Sequence, residues 1–518
     1  MDSFLVTNNL GGYFWHTPKP TSRYQGWFMP FDGRLFKIID FVEGDLRSVH
    51  FPKYYKSLII TAKAPSVIKL SFDIRESYNA ESQWGREYHI TEKDGILWVR
   101  YTLENIIVGI KIKGGFKLVN KWTERRYSLD EKRHSSPASL WIFEALEIFA
   151  SKVCIAAGRS EKEVIKELQK AATFRIKKSP AIVKLKEDVH NFSLAYKLAK
   201  FSLLSLRVFD EKKHIVGLYA GLPWFFQFWL RDEAVSFRGF APLMYKEAKA
   251  LASLRAKFLS KDSIVPAYLD LKSSESRAKS VDGFFWMALR LKELGVKKYI
   301  QLSADTEFVL NKAKETWMDS ISRQGARIEL QALKLALLKE NRIQKDFHEK
   351  VRTRFFDGEI LIDGIEPDGT VDKTVRPNCF LAHYLYPVLL TQEEWEVVFD
   401  KALISLWCVW GGLATLDKAH PQFQGRHTGE VNTSYHQGDS WFWINNIAAI
   451  SMRRLNKEKY KNFIQKIIEA SAQDILSEGI PGHASELSSA NEFDPAGSPA
   501  QLWSAATFIE LYQELKAR

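Results

Sequence analysis

From residue 1 to about 155 the chain alternates short apolar runs with turn residues. Arg34–Val42, Val67–Ile74, Ile96–Thr102, Asn105–Lys113 and Ala145–Ala156 are rich in Ile, Val, Phe and Tyr, and Gly, Asp, Asn or Pro separate them. Turn signals recur about every 8–15 residues, a spacing that predicts an antiparallel β-sandwich. Ser160–Ala172 then reads as a helix, with Ser160 as N-cap, Glu163 at the third helical position, and Val164, Ile165 and Leu168 on one face. Lys177–Pro180 breaks that pattern. The expected domains are therefore 1–180, a β-sandwich with a linker helix, and 181–518, a helical domain.

From about 187 onward the hydrophobic period becomes 3.6. Twelve segments are predicted helical, at about 188–208, 230–241, 244–259, 281–293, 297–315, 326–339, 342–355, 376–389, 392–404, 436–453, 458–477 and 498–516. Twelve helices with alternating connections suggest six hairpins, so the expected fold class is α+β multidomain: an N-terminal antiparallel β-sandwich followed by an (α/α)6 barrel. A twelve-helix solenoid is the structural alternative, but no repeat of about 34–45 residues recurs. Connections after even-numbered segments are short. Those after odd-numbered segments, at 209–229, 260–280, 316–325, 356–375, 405–435 and 478–497, are long and rich in Gly, Pro, Trp and charge. In an up-down ring the long loops share one end, where sites usually form.

Composition narrows the class. The 518 residues are enough for two or three domains with a large core. No run approaches the roughly 20 apolar residues of a membrane span, and the N-terminus lacks a secretory pattern. Cys154, Cys379 and Cys408 are far apart and form no disulfide framework or zinc spacing, which points to the cytoplasm. The net charge of +12 comes from lysines scattered over polar helix faces. It reads as a solvated surface, with no basic stripe for nucleic acid.

Sixteen tryptophans are many for this length. Beyond residue 180, Trp224, Trp229, Trp286, Trp317, Trp407, Trp410, Trp441, Trp443 and Trp503 fall in or near the long loops, and Trp395 does not. Asp232, Asp282, Asp319, Glu329, Asp439 and Glu486 collect at the same end. An aromatic, acid-bearing pocket suits glycoside hydrolysis, in which one carboxylic acid protonates the leaving oxygen and an opposite carboxylate activates water or attacks the sugar. Phosphate-loop, dinucleotide, zinc-protease and nucleophile-elbow signatures are absent. His383, His427, His436 and His483 lack metal spacing and read as hydrogen-bonded or core residues.

At these loops the sequence resembles the glycogen-debranching-enzyme family, specifically its amylo-α-1,6-glucosidase part. Phe4–Tyr13 (FLVTNNLGGY) and Ser22–Gly26 (SRYQG) resemble the opening of that family's N-terminal domain. Ala220–Ser236 (AGLPWFFQFWLRDEAVS), Ser280–Trp286, Glu315–Leu330 (ETWMDSISRQGARIEL), Arg376–Asn378, Gly412–Leu416, Gln424–Gly429, Tyr435–Trp443 (YHQGDSWFW), Gly482–Leu487 and Gly497–Ser504 follow its motifs in order. The chain departs from them at Leu230, at Gly283-Phe284 and at Val431-Asn432-Thr433. No separate glucanotransferase domain is expected.

The resemblance implies inverting exo-cleavage of a single α-1,6-linked glucose, with Asp319 as general acid and Glu486 as general base. Arg231 and Asp232 match a pair that grips the terminal glucose, and Asp282, Trp286, His436, Gln437 and Trp441 match lining positions. Trp224, Trp229 and Trp441 are expected to wall the pocket, with Trp317 and Glu329 beside it. The expected partner is an α-glucan such as glycogen or maltodextrin, with no nucleic acid, no membrane and no cofactor or metal. A glucoamylase-like exo-α-1,4-glucosidase and a non-catalytic carbohydrate-binding protein are the alternatives.

Overall fold

The computed structural model describes residues 3–175, 191–259, 262–297 and 305–517. The chain forms two compact units, one of Met1–Leu185 with Ser205–Val216 and one of Lys186–Leu204 with Gly217–Arg518. The boundary expected near 180 lies outside the described residues.

The first unit is built on ten strands: β1 (Phe4–Thr7), β2 (Tyr13–His16), β3 (Gly26–Phe31), β4 (Arg34–Gly44), β5 (Leu46–His50), β6 (Ser57–Glu76), β7 (Tyr88–Lys93), β8 (Ile96–Tyr101), β9 (Ile106–Arg126) and β10 (Ser139–Gly158). Every run read as a strand from the sequence lies on one of them. The sequence suggested two stacked sheets, but hydrogen bonding runs unbroken in the order β1-β2-β3-β4-β6-β10-β9-β8-β7, with β5 beside β6. The long strands β6, β9 and β10 make this continuity possible, and register shifts after Glu144 and Ala150 bend their pairing. Alternation sorts the side chains between the two faces. On β8, Leu97, Val99 and Tyr101 join a large apolar cluster, while Ile96 and Trp98 enter a smaller one on the other face. Two helices accompany the sheet, α1 (Ser128–Lys132) and α2 (Glu161–Thr173). Helix α2 covers the smaller cluster with Val164, Leu168 and Ala171. It begins where the sequence placed it, and Ser160 Oγ accepts from Glu163 N at 3.3 Å.

The second unit is largely helical. Its helices are α3 (Phe192–Ser205), α4 (Leu230–Phe240), α5 (Tyr245–Arg255), α6 (Val281–Glu293), α7 (Ile328–Leu337), α8 (Arg342–Phe355), α9 (Asn378–Leu385), α10 (Gln392–Leu406), α11 (Phe442–Asn456), α12 (Lys461–Gln473) and α13 (Leu502–Lys516). Two kinds of helix are present. In α4, α6, α7, α9, α11 and α13 nearly every position is buried until the final turns. In α8, by contrast, only Gln344, Phe347, Val351 and Phe355 are buried, a one-sided stripe. The buried helices pack side by side: α4 on α6, α6 on α7, α7 on α9, α9 on α11, α11 on α13, and α13 on α4.

One predicted helix is corrected. Of 297–315, residues 298–304 lie outside the described residues, and 305–315 contain no helix, with Leu310–Asn311 forming a short strand. The Gln331 amide captures this backbone, accepting from Val309 N and donating to Val309 O, both at 2.9 Å. Another correction concerns the long loops, where the sequence showed almost no strand pattern. Two-residue ladders stitch them together: Phe228–Trp229 with Tyr268–Leu269, Gly221–Leu222 with Ala500–Gln501, and Ser440–Trp441 with Leu487–Ser488.

A buried ion pair ties α4 to the end of α5. Arg255 donates to both Glu233 oxygens at 2.6 and 2.9 Å, and Leu218 N donates to the same carboxylate at 2.9 Å. Arg255→Leu would leave that charge buried without its cation, so the variant should lose about 3–5 kcal/mol of stability in denaturant unfolding. A loss under about 1 kcal/mol would show the pair to be incidental.

Candidate active site

The predicted site residues converge at the N-terminal ends of the buried helices. Trp229 pairs with Tyr268, and Leu230 N donates to Ala267 O at 3.0 Å, so α4 starts with Arg231 and Asp232 in its first turn. At the start of α6, Ser280 Oγ accepts from Gly283 N at 3.0 Å and donates to Asp282 Oδ1 at 2.6 Å. A side chain at 283 would come within 2.7 Å of that hydroxyl, which explains the glycine. Arg231 joins these elements: Nε donates to Asp282 Oδ1 at 2.9 Å and Nη1 reaches Asp319 Oδ2 at 3.4 Å.

Asp319 is held from both sides in the chain. Upstream, Trp317 Nε1 donates to Asn378 Oδ1 at 2.9 Å. Asn378 Nδ2 in turn donates to Asp363 Oδ1 at 2.7 Å, and Arg323 grips Asp363 at 2.6 and 2.9 Å. Downstream, the Ser320 N–H and hydroxyl both face His436 Nδ1, at 3.3 and 2.7 Å. A backbone N–H can only donate, so Nδ1 is the acceptor. Burial, reinforced by the charges of Arg376, Arg231 and Arg323, pushes the His436 pKa well below its usual value, which keeps the ring neutral for this role. Its ring stacks on Trp441 at 5.0 Å, and Arg376 Nη1 donates to the carbonyls of His436 and Thr415, each at 2.9 Å.

Glu486 is fixed as firmly. Leu487–Ser488 lies between Ser440–Trp441 and Pro495–Ala496 in a small sheet. Tyr435 Oη donates to Glu486 Oε1 at 2.5 Å and Ser498 N to Oε2 at 2.8 Å. Gly497 sits at φ +65°, and a Cβ there would come within 2.3 Å of Oε2, so both conformation and space require glycine. Behind it, Ser485 N donates to Asp474 Oδ2 at 2.7 Å. Asp474 opens a single π-helical stretch, Asp474–Glu478, that ends α12.

The carboxyl groups sense one another. Burial raises the Asp319 pKa, opposed by Arg231 and helped by Asp282, although 31% of its side chain remains exposed. Burial also raises Asp232 far above the carboxylate range; Arg231 opposes this, while the charges of Asp319 and Glu486 add to it. Tyr435 is raised by burial and then by the charges of Glu486, Asp319 and Asp232. Asp319 and Glu486 therefore lie close enough to Asp232 and Tyr435 for their charges to act on both.

Several expected lining residues have other tasks. Glu329 is only 1% exposed and spends both oxygens on Arg323, so it braces the loop instead of facing a ligand. Trp286, one turn beyond Asp282, is buried beneath the Arg290 guanidinium at 5.0 Å. His436 is fully buried and acts on Ser320. Trp317, Trp441, Trp443 and Trp503 pack on one another edge to face and in a stack. Trp224 is buried, whereas Trp229 and Gln437 are half-exposed. Asp439 lies apart, bound to His427 Nδ1 at 2.6 Å and Ser434 Oγ at 2.9 Å. Sequence reading missed Tyr435, Asn378 and Arg376 as site-builders, although all three lie inside the motifs that attracted attention. Among the described residues, no group of three or more His, Cys, Asp or Glu side chains could hold a metal ion, and no helix is long and apolar enough to cross a membrane.

The family model described as amylo-alpha-1,6-glucosidase matches residues 201–314 and 293–510. The chain belongs to this family and has a glycoside-hydrolase fold of the six-hairpin, glucoamylase-like type. No curated protein matches it. Among solved structures it is similar to a bacterial glucoamylase complexed with acarbose, at 12% identity and TM-score 0.59, covering 99% of this chain and 94% of that one. It also matches a GH63 mannosylglycerate hydrolase from Thermus thermophilus at 11% identity and TM-score 0.46, covering 62% of this chain and 99% of that one.

Two expectations follow from this geometry. If His436 acts through Nδ1, His436→Asn, whose Oδ1 falls near the lost Nδ1, should keep turnover within about tenfold of wild type, while His436→Gln should lose about 100-fold with little change in KM. The reverse order would place the ring's working atom at Nε2. Burial raises Asp474 to about 7, against about 3.9 in an unfolded chain. The folded state then binds the extra proton, so this group's contribution falls as pH climbs from about 4 towards 7. Thermal melts should show wild type losing more Tm than Asp474→Asn between pH 5 and 8; parallel curves would contradict the assignment.

Proposed function

We propose that the protein is an inverting, exo-acting α-glucosidase that releases glucose from α-1,6 branch points of glycogen or maltodextrin. The observation that carries this reading is the pairing of Asp319 and Glu486 in contrasting settings around one acidic space. Asp319 is a carboxyl group raised by burial, suited to hold a proton and pass it to the glycosidic oxygen. Glu486 accepts hydrogen bonds from Tyr435 and Ser498 on its two oxygens, which aim it to take a proton from water on the opposite face of the sugar. In this reading Asp232 and Arg231 grip the hydroxyls of a terminal glucose.

The architecture supports this assignment. Six buried helices that pack each on the next, from α4 through α13 and back to α4, suit an (α/α)6 barrel with residues 1–180 as a separate β-domain. On such a ring Asp319 and Glu486 belong to loops three hairpins apart and face each other. An inverting enzyme needs its carboxyl groups about 6.5–9.5 Å apart so that water fits between them, against about 5–5.5 Å for a retaining one. The half-exposed Trp229, with Tyr268 at 5.0 Å, gives a bulky wall that favours a chain end over a chain interior.

Proton NMR of the first product from an α-linked substrate should show β-glucose. Asp319→Asn and Glu486→Gln should each reduce kcat by at least about 1,000-fold with KM nearly unchanged. Branched oligosaccharides should release glucose faster than maltose. Initial α-glucose would overturn the inverting mechanism. Equal rates on α-1,4 substrates would point to the glucoamylase-like specificity, and binding without turnover to a carbohydrate-binding protein.

A further inference from the structure

The β-rich unit carries a surface feature that the catalytic reading leaves unused. Trp84, in the segment between β6 and β7, is 64% exposed. Trp141, near the start of β10, stands beside it with ring centroids 6.0 Å apart and planes inclined at 56°. Among the described residues, no protein acceptor claims either indole N–H.

Hydrogen-bonding groups border the two rings. Across the β9–β10 ladder Trp141 pairs with Glu124, and Ser139 with Arg126. Cross-strand partners share a face, and Ser139 Oγ donates to Glu124 Oε1 at 2.9 Å. On the Trp84 segment itself, Arg86 lies 3.6 Å from the Glu81 carboxylate. Indole faces left in water are costly unless a ligand covers them.

We propose that Trp84 and Trp141 form a glucan-binding surface separate from the catalytic carboxylates. A pyranose ring offers an apolar C–H face to an indole and a rim of hydroxyls to carboxylate and guanidinium groups. Two planes inclined at 56° cannot both lie flat on one planar ligand. They suit successive rings of a chain that curves, as α-linked glucans do. The choice of an α-glucan rests on the proposed function. Binding at this surface would hold a polymer on the enzyme and raise the local concentration of its branch ends.

Affinity electrophoresis through glycogen-containing gels tests the site, with Asp319→Asn as the background so that the polymer is not consumed. Trp84→Ala and the Trp84→Ala/Trp141→Ala pair should weaken retardation by about five- to tenfold, and Trp84→Tyr, which keeps an aromatic face, should restore most of it. In the active enzyme the same changes should lower kcat/KM on glycogen by a similar factor and leave a short α-glucoside unaffected. Unchanged retardation and unchanged glycogen kinetics would overturn the proposal. So would a wild-type dimer that Trp84→Ala converts to monomer without altering glycogen binding, since the rings would then meet a second copy. Retardation that depends on Trp84, in an enzyme that releases no glucose from glycogen, would uphold this surface and overturn the assigned activity.

Discussion

Three carboxyl groups crowd around one guanidinium in the helical unit, and the charge of a fourth reaches one of them. Asp282 and Asp319 touch Arg231, Asp232 follows it in the chain, and the charge of Glu486 reaches Asp232. A single buried cation cannot offset the charge of all these acids. Desolvation and mutual repulsion therefore push protons onto the cluster, as the raised pKa values of Asp232 and Asp319 register. In the proposed reading, this upward shift suits Asp319 to donate a proton to a glycosidic bond.

Much of the surrounding structure answers the cost of that crowding. The acids sit at or near helix N-termini, where the backbone dipole favours negative charge: Asp232 in the first turn of α4, Asp282 in that of α6. Behind Asp319 a second buried cluster is more evenly matched. Arg323, Arg327 and Arg376 meet Glu329, Asp363, Glu366 and Asp372, and through Asn378 this cluster locks Trp317. The balanced cluster braces the loop, and the unbalanced one beside it is the candidate site.

The fold was legible because hydrophobic period is set by burial, and burial is strong here. The change from alternation to a 3.6 period separates the sheet from the helices, and eleven predicted helical segments contain an observed helix. The misreadings have physical causes. Two-residue ladders such as Ser440–Trp441 with Leu487–Ser488 are too short to leave a period. The segment around Val309 is held by a distant amide, which no local pattern reports. Asp232, Asp282, Asp319 and Glu486 could be chosen as carboxylates at the long-loop end, and Arg231 through the family resemblance. The division between residues that face the site and residues that brace it could not. Glu329 and Asp282 are both buried carboxylates in a helix's first turn, and what separates them is the arginine each meets, Arg323 for Glu329 and Arg231 for Asp282.

Burial and crowding hold the carboxyl groups of Asp232 and Asp319 above the ordinary aspartate value. The most direct measurement is a carboxyl-carbon NMR titration of the free enzyme labelled at aspartate and glutamate, with Asp232→Asn and Asp319→Asn used to assign signals. Shared desolvation around one guanidinium requires that Asp232 and Asp319 both titrate above the ordinary aspartate value of about 3.9. Titration of both at or below that value would show that the cluster is neutralised in some other way.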